Sequence, residues 1–216
     1  MSGQGADHGQ RLSALDGSFL RNETPQAHMH VAWSAVFAAP GDAARPTVEA
    51  LRDRAAGRVH EVPWCRWRLE PAPLGLSEPR WIDDPDFDLS QRIVGLTDPD
   101  DPVSPATFAA LRSELLSAPL DHTQPLWQIF LVPRLEDGRV GMVGKIHHSL
   151  VDGIAALQIV GLILDDEPVA ASQPAVRWHP TEPAGSVTRA VDALTDAAGQ
   201  GLRALQAGAG AATRPR

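Results

Sequence analysis

The order of strand-like and helix-like segments along this chain predicts an α/β fold, a sandwich built on a mixed sheet. Three observations carry that expectation. Val140, Met142, Gly144 and Ile146 alternate with Gly141, Val143 and Lys145, the period-two pattern of a strand. Just before them, Glu136-Asp137-Gly138-Arg139 carries the Asp-Gly signal of a hairpin turn and links them to the apolar strand Leu126 to Pro133. Upstream, Ser104-Pro105 opens the best-signalled helix: serine caps it, proline suits its first turn, and Phe108, Leu111, Leu115 and Ala118 form a stripe that Pro119 ends.

The remaining elements follow in order. Leu12 to Leu20 reads as a short helical turn, and His28 to Ala39 as a strand with Met29, Val31, Trp33, Ala35 and Phe37 on one face, ended by Pro40 and Gly41. Pro46-Thr47 opens a helix in which Val48, Leu51, Ala55 and Val59 recur at helical spacing, with Glu49 placed where the helix dipole favours an acid. Trp67 to Glu70 and Arg80 to Asp83 read as short strands, separated by a stretch from Pro71 to Pro79 whose prolines and glycine exclude regular structure. After the hairpin, Ile154, Leu157, Gln158, Gly161, Leu162 and Leu164 carry helical spacing. The Pro-, Ala- and Ser-rich stretch from Pro168 to Pro183 reads as a boundary. Beyond it, Val187, Val191, Leu194, Ala198, Leu202 and Leu205 make a weak amphipathic helix, weakened by Gly199 and Gly201.

Composition narrows the functions available. With 216 residues and 43% hydrophobic content, the chain can bury a proper core. A formal net charge of -8 without a Lys/Arg cluster argues against a nucleic-acid partner, which needs a basic face. The single cysteine, Cys65, has no internal disulfide partner, fits a reducing compartment and reads as a core residue beside Trp64 and Trp67. Met1 to Gln10 is polar and glycine-rich, without the regions of a signal peptide, which predicts a cytoplasmic protein. The longest apolar runs, Leu126 to Pro133 and Gly153 to Leu164, fall short of the roughly 20 residues needed to cross a bilayer, so membrane association is expected to be peripheral. No G-x-G-x-x-G or Walker-type loop is present.

The most informative stretch is Lys145-Ile146-His147-His148-Ser149-Leu150-Val151-Asp152-Gly153. It places two imidazoles, an acid and a glycine in a strand-to-helix connection, where a rigid scaffold commonly holds catalytic groups. Histidine is the side chain that takes and returns a proton near neutral pH. Three readings compete: a metal site using His148 and Asp152, a buried hydrogen-bonded pair, and acid–base chemistry. The metal reading lacks clustered His, Cys or Glu residues to complete a shell, so the expected metal is none. His147 and Asp152 also fit the H-x4-D spacing of glycerolipid acyltransferases, although Ile146 stands where that family usually has Asn.

Three segments together resemble bacterial wax ester synthase/diacylglycerol acyltransferases of the CoA-dependent acyltransferase superfamily. They are Leu12-Ser13-Ala14-Leu15-Asp16-Gly17-Ser18-Phe19-Leu20, Pro119-Leu120-Asp121-His122-Thr123-Gln124-Pro125-Leu126-Trp127, and His147-His148-Ser149-Leu150-Val151-Asp152-Gly153. The last fits H-H-x-x-x-D-G, shared with peptide-synthetase condensation domains; the first two point to the wax ester branch. The stretch from His28 to Val31 and that from Trp81 to Leu89 resemble further segments of the family.

The resemblance implies a two-lobed enzyme with a tunnel between lobes, of which residues 1–178 form a chloramphenicol-acetyltransferase-like N-terminal lobe and residues 179–216 an interlobe linker or weak helix. A C-terminal lobe on another chain is then a partner. It implies His148 as the catalytic histidine, supported by His147; Asp152 in a structural or orienting role, with Gly153 turning the backbone into the helix; and Pro125, Leu126 and Trp127 shaping the lobe. His28, His30 and His122 are expected to be structural. The substrates implied are acyl-CoA and diacylglycerol or a fatty alcohol, with no cofactor beyond the coenzyme A thioester itself. The inner membrane face or a lipid droplet is an implied place of work. The chemistry is consistent with this: an alcohol attacks a thioester poorly until a neutral imidazole takes its proton. A catalytically incompetent half that binds acyl chains or a partner is the alternative, and a condensation-type acyltransferase is a third class.

Overall fold

The structure, a computed structural model, describes residues 9, 11–38, 45–150, 153–165 and 178–181, together with 185, 188, 190–191, 194–195 and 198–199. A four-stranded sheet carries the fold. Its order is β1 (His30–Phe37), β6 (Val140–His147), β5 (Trp127–Val132), β4 (Ile93–Gly95). β6 runs antiparallel to both neighbours, whereas β4 runs parallel to β5, so the sheet is mixed. Around it lie α1 (Ala14–Asn22), α2 (Val48–Arg58), α4 (Pro105–Ser117) and α5 (Gly153–Ile163), and the short α3 (Leu89–Arg92) leads directly into β4. β2 (Trp67–Glu70) and β3 (Arg80–Asp83) pair into a separate antiparallel ribbon.

Local chemistry sets these boundaries. Ser13, Thr47 and Ser104 each cap a helix by accepting a backbone N–H, from Asp16, Ala50 and Thr107. Gly138 takes a φ of 81°, which lets the turn after Leu135 reverse the chain between β5 and β6. The elements expected between Leu12 and Leu164 are present, some with their ends shifted by a few residues. α3 and β4 carry no signal of their own, being four and three residues long.

The two faces of the sheet bury different material. Val140, Met142 and Ile146 of β6 join Trp127, Ile129 and Leu131 of β5 against Leu51 and Ala55 of α2 and Ile159, Leu162 and Ile163 of α5. On the other face, Val143, Phe130 and Val132 meet Phe108 of α4. A third cluster, Leu12, Trp67, Leu69, Trp81, Leu120 and Leu126, ties the β2–β3 ribbon to the chain leading into α1 and β5.

Two stripes differ from expectation. Leu157 is 69% exposed, so the buried face of α5 is Ile159, Leu162 and Ile163, one residue round from the spacing read in the sequence. Val31 is 38% exposed because β1 is an edge strand whose end is incompletely covered. The weak helix expected from Val187 to Leu205 falls largely outside the described residues, although Val191 and Leu194 are described and exposed.

Candidate active site

β6 delivers the two histidines into different surroundings. His147 is the last residue of the strand, paired with His30 of β1, and is wholly buried. Its backbone N–H donates to the Leu126 carbonyl. His148 follows immediately, donates its own backbone N–H to the Met29 carbonyl at 2.8 Å, and presents an exposed imidazole. That ring lies on Phe19 of α1, with centroids 4.9 Å apart and planes 19° from parallel.

The tautomer of His147 follows from its neighbours. The Ser149 backbone N–H donates to Nδ1 at 3.0 Å, and the Ser149 hydroxyl lies 2.6 Å from the same atom. Nδ1 is therefore an acceptor, and the neutral ring carries its proton on Nε2. Nε2 faces Glu23 Oε2 at 3.6 Å, just beyond hydrogen-bond reach. Burial drives this imidazole toward the neutral form and pushes it down to about 4; Glu23 opposes the fall, while His122, His148 and His30 add to it.

Glu23 is the hub of this pocket. It ends α1, and its Oε2 lies 2.7 Å from His122 Nε2. Its Oε1 stands 4.0 Å from His28 Nδ1, and among the described residues neither atom has a hydrogen-bond partner. Glu23, His122 and His147 offer ligand atoms within 4.8 Å of one another, and two imidazoles with a carboxylate form a donor set that zinc accepts. The His147 tautomer does not fit that use, because the atom facing Glu23 is the protonated one.

The C-terminal end of α4 closes the pocket. The last four carbonyls of a helix lack partners within it. Here Lys145 Nζ donates to Leu115 and Ala118 at 3.1 and 3.0 Å, His30 Nε2 to Leu116 at 3.1 Å and His28 Nε2 to Ser117 at 2.9 Å. Cationic and imidazole donors at this end of the helix also suit its dipole. Burial lowers the Lys145 pKa.

The chain between α4 and β5 is held just as closely. Asp121 accepts the Thr123 N–H and hydroxyl. Buried Arg92 donates to the Pro125 carbonyl at 2.7 Å, to the Trp127 carbonyl and to the Gln124 side chain. Leu126 and Trp127 are fully buried, and Trp127 Nε1 donates to the Cys65 carbonyl at 2.7 Å. Asp152 lies outside the described residues, and Gly153 opens α5.

The family model for the wax ester synthase/diacylglycerol acyltransferase catalytic domain matches residues 12–215. The chain belongs to this family. A relative named "Probable diacyglycerol O-acyltransferase tgs3" in Mycobacterium tuberculosis is 32% identical over 186 residues, 86% of this chain and 68% of that protein. Another M. tuberculosis protein with a diacylglycerol O-acyltransferase name is 33% identical over 171 residues, 79% of this chain but 36% of its own length. The solved structure of a wax ester synthase/diacylglycerol acyltransferase from Marinobacter aquaeolei VT8 is 28% identical with a TM-score of 0.60, covering 77% of this chain and 41% of that one. The chain thus spans only about a third to two fifths of several relatives.

The segments of this wax ester synthase/diacylglycerol acyltransferase domain that look like motifs now have physical contents. In Leu12–Leu20, Leu12 and Leu20 join the cluster around Trp67 and Trp81, Ser13 caps the helix and donates to Asp16, and Phe19 meets His148. Sequence reasoning had no reason to single out Glu23. Its only advance signal is a lone acid between two basic or imidazole-bearing segments. His28, His30 and His122, expected to be structural, lie near the motif histidines: His28 and His122 gather about Glu23, and His30 stacks on His28 with centroids 5.6 Å apart.

Proposed function

We propose that this chain is the histidine-bearing lobe of an O-acyltransferase that moves a fatty acyl group from coenzyme A to diacylglycerol or a long-chain alcohol. The observation that carries this reading is the contrast between an exposed, ring-stacked His148 and a buried His147 that no substrate can touch without displacing Glu23 or Ser149. His148 acts as the general base. It takes the hydroxyl proton as the alcohol oxygen bonds to the thioester carbon, the tetrahedral intermediate expels the thiolate, and the imidazolium returns the proton to sulfur. No covalent enzyme intermediate and no cofactor beyond the thioester substrate is required.

His147 supports His148 from below, and Pro125, Leu126 and Trp127 shape the lobe. Asp152 is assigned to holding the loop, and Gly153 to the turn into α5. The oxyanion donors and the second wall of an apolar tunnel come from a C-terminal lobe, which makes a second chain or segment a partner. Among the described residues no helix is long and apolar enough to cross a membrane. In this reading a lipid acceptor reaches the site by peripheral contact with a membrane face or lipid droplet.

The test is ester synthesis from radiolabelled acyl-CoA and a panel of acceptors, with the chain alone and co-expressed with a second lobe. Transfer by the complex and little by the chain alone is expected. A second reading is a catalytically incompetent half that binds acyl chains or a partner chain. Complex formation without ester synthesis would establish it.

A further inference from the structure

We infer that Phe19 is the positioning residue for His148, fixing the rotation of the exposed imidazole so that one ring nitrogen stays aimed at the acceptor hydroxyl. The inference rests on the reading of His148 as general base. It starts from a problem the fold creates. The His148 backbone is held through Met29, but its side chain leaves the sheet and is exposed, so backbone pairing alone does not fix its two side-chain torsions. An imidazole free to turn about them spends much of its time pointing its base nitrogen elsewhere.

The Phe19 ring supplies the missing constraint. It lies 4.9 Å from the imidazole centroid at 19°, a stacked contact in the range aromatic pairs prefer. Phe19 itself is delivered by a seated helix. Leu12 just before α1 is buried and Leu20 packs in the same cluster. Arg21 pairs with Glu78 and also donates to the Ala14 carbonyl, pinning the helix end against the approach to β3. Glu23, at the end of the same helix, faces His147. One helix therefore contacts both motif histidines, and only its contact with His148 is apolar and face to face. That choice suits a base: stacking restricts the ring without occupying either nitrogen, whereas a hydrogen bond would consume one of them.

The test compares Phe19→Leu, which keeps apolar bulk without a ring, with Phe19→Tyr, which keeps the ring, in the two-lobe assembly. Phe19→Leu should lose about ten- to a hundredfold in kcat, the scale of a modest misplacement of a catalytic group, with KM for the thioester unchanged. Phe19→Tyr should restore most of it. In parallel, NMR of histidine-labelled chain should show the ring-current displacement of the His148 C–H signals lost in Phe19→Leu and kept in Phe19→Tyr, with the His147 signals unmoved. Parent-like kcat in Phe19→Leu, His148 signals unmoved by that substitution, or equal losses in both variants would each overturn the proposal. If Phe19→Leu does not fold, Phe19→Met takes its place with the same expectations. His148→Ala separates the two ideas: retained turnover there removes the general-base reading, whereas a dead His148→Ala beside an unaffected Phe19→Leu removes only the positioning role.

Discussion

The two faces of β6 are built from the same eight residues and do opposite things. One face, Val140, Met142, Gly144 and Ile146, packs apolar surface against α2 and α5 and against Trp33 of the neighbouring strand. The other, Gly141, Val143, Lys145 and His147, begins apolar under Phe108 and ends by burying a cation and an imidazole beneath α4. The apolar face anchors the strand and the polar face satisfies α4's last carbonyls. Together they fix the backbone at His147 and so set the point at which His148 leaves the sheet. Lys145, His30 and His28 meet the carbonyls of α4, whereas among the described residues His147 Nε2 and Glu23 Oε1 are buried without a hydrogen-bond partner.

The comparison breaks most visibly at its end point. His148→Ala should lower turnover of the two-lobe assembly by about a hundred- to ten-thousandfold, the usual contribution of general acid–base assistance, with little change in melting temperature. His147→Ala should do the reverse, with a milder effect on turnover and a clear loss of stability, since it leaves a cavity and strands the Ser149 N–H. Kinetics and melting of both variants, measured side by side, decide this. Equal effects of the two would mean that burial and exposure do not separate their roles.

Gly144→Ala sharpens the apolar half. A Cβ at Gly144 would come within 2.3 Å of the Trp33 ring, which sits directly across the β1–β6 register. A half-buried Trp indole packed against the core does not swing aside like the tip of a flexible chain. Overpacking of this kind costs about 1–3 kcal/mol, read as a lower denaturation midpoint. An unchanged midpoint would mean that Trp33 is loosely held and that β1 contributes less to seating His147 than the register suggests.

Legibility in the sequence divides along the same line. The apolar face announced itself, because period-two alternation and helical stripes are set by burial, and so did the turn at Asp137-Gly138 and the Ser104 cap. The pairing of β2 with β3 and the short β4 beside β5 were not visible, since three- and four-residue elements take their conformation from partners distant in sequence. The histidine motif was legible as chemistry. The pocket behind it was not, because Glu23, His28, His30, His122 and Lys145 come from four separate segments and converge only through the end of α4. Lone polar residues at such spacings look like solvated ones until the tertiary fold closes over them.

A smaller effect belongs to the polar face in acid. An unfolded chain protonates His147 near 6.5, whereas burial holds the folded residue neutral down to about 4. Above pH 6.5 both states are neutral and this residue adds no pH dependence. As pH falls from 6.5 toward 4 the unfolded chain binds a proton that the folded chain refuses, so stability declines through that window and levels off below it. His30, lowered first by burial and then by Lys145, bends stability in the same direction. Subtracting the pH–stability curve of His147→Gln from that of the parent isolates the His147 share. A difference curve flat between pH 4 and 6.5 would mean that Glu23 compensates the burial fully.

The smallest expected effect is none at all. Chelation by EDTA should leave ester synthesis by the two-lobe assembly unchanged, and the reason lies in the hydrogen bonds of the polar face. Glu23, His122 and His147 have the spacing of a metal shell, so distances alone favour an ion. A histidine that binds a metal through Nε2 keeps its proton on Nδ1 and donates it to an acceptor. At His147 the Ser149 backbone N–H already points at Nδ1 from 3.0 Å, so a proton there would face another donor. Binding through Nε2 would require either breaking that turn or removing both ring protons. His28 and His30 do send their Nε2 protons to carbonyls, the arrangement a ligand histidine prefers, and His28 Nδ1 stands 4.0 Å from Glu23 Oε1, yet the mutually close set is Glu23, His122 and His147. Two measurements check the argument from separate sides. Nitrogen-15 spectra of the labelled chain should show His147 protonated on Nε2, and metal analysis of active assembly should find no stoichiometric zinc. Zinc bound at one per chain, with turnover lost on its removal, would show that the Ser149 turn opens on binding and that the cluster around Glu23 is a metal centre.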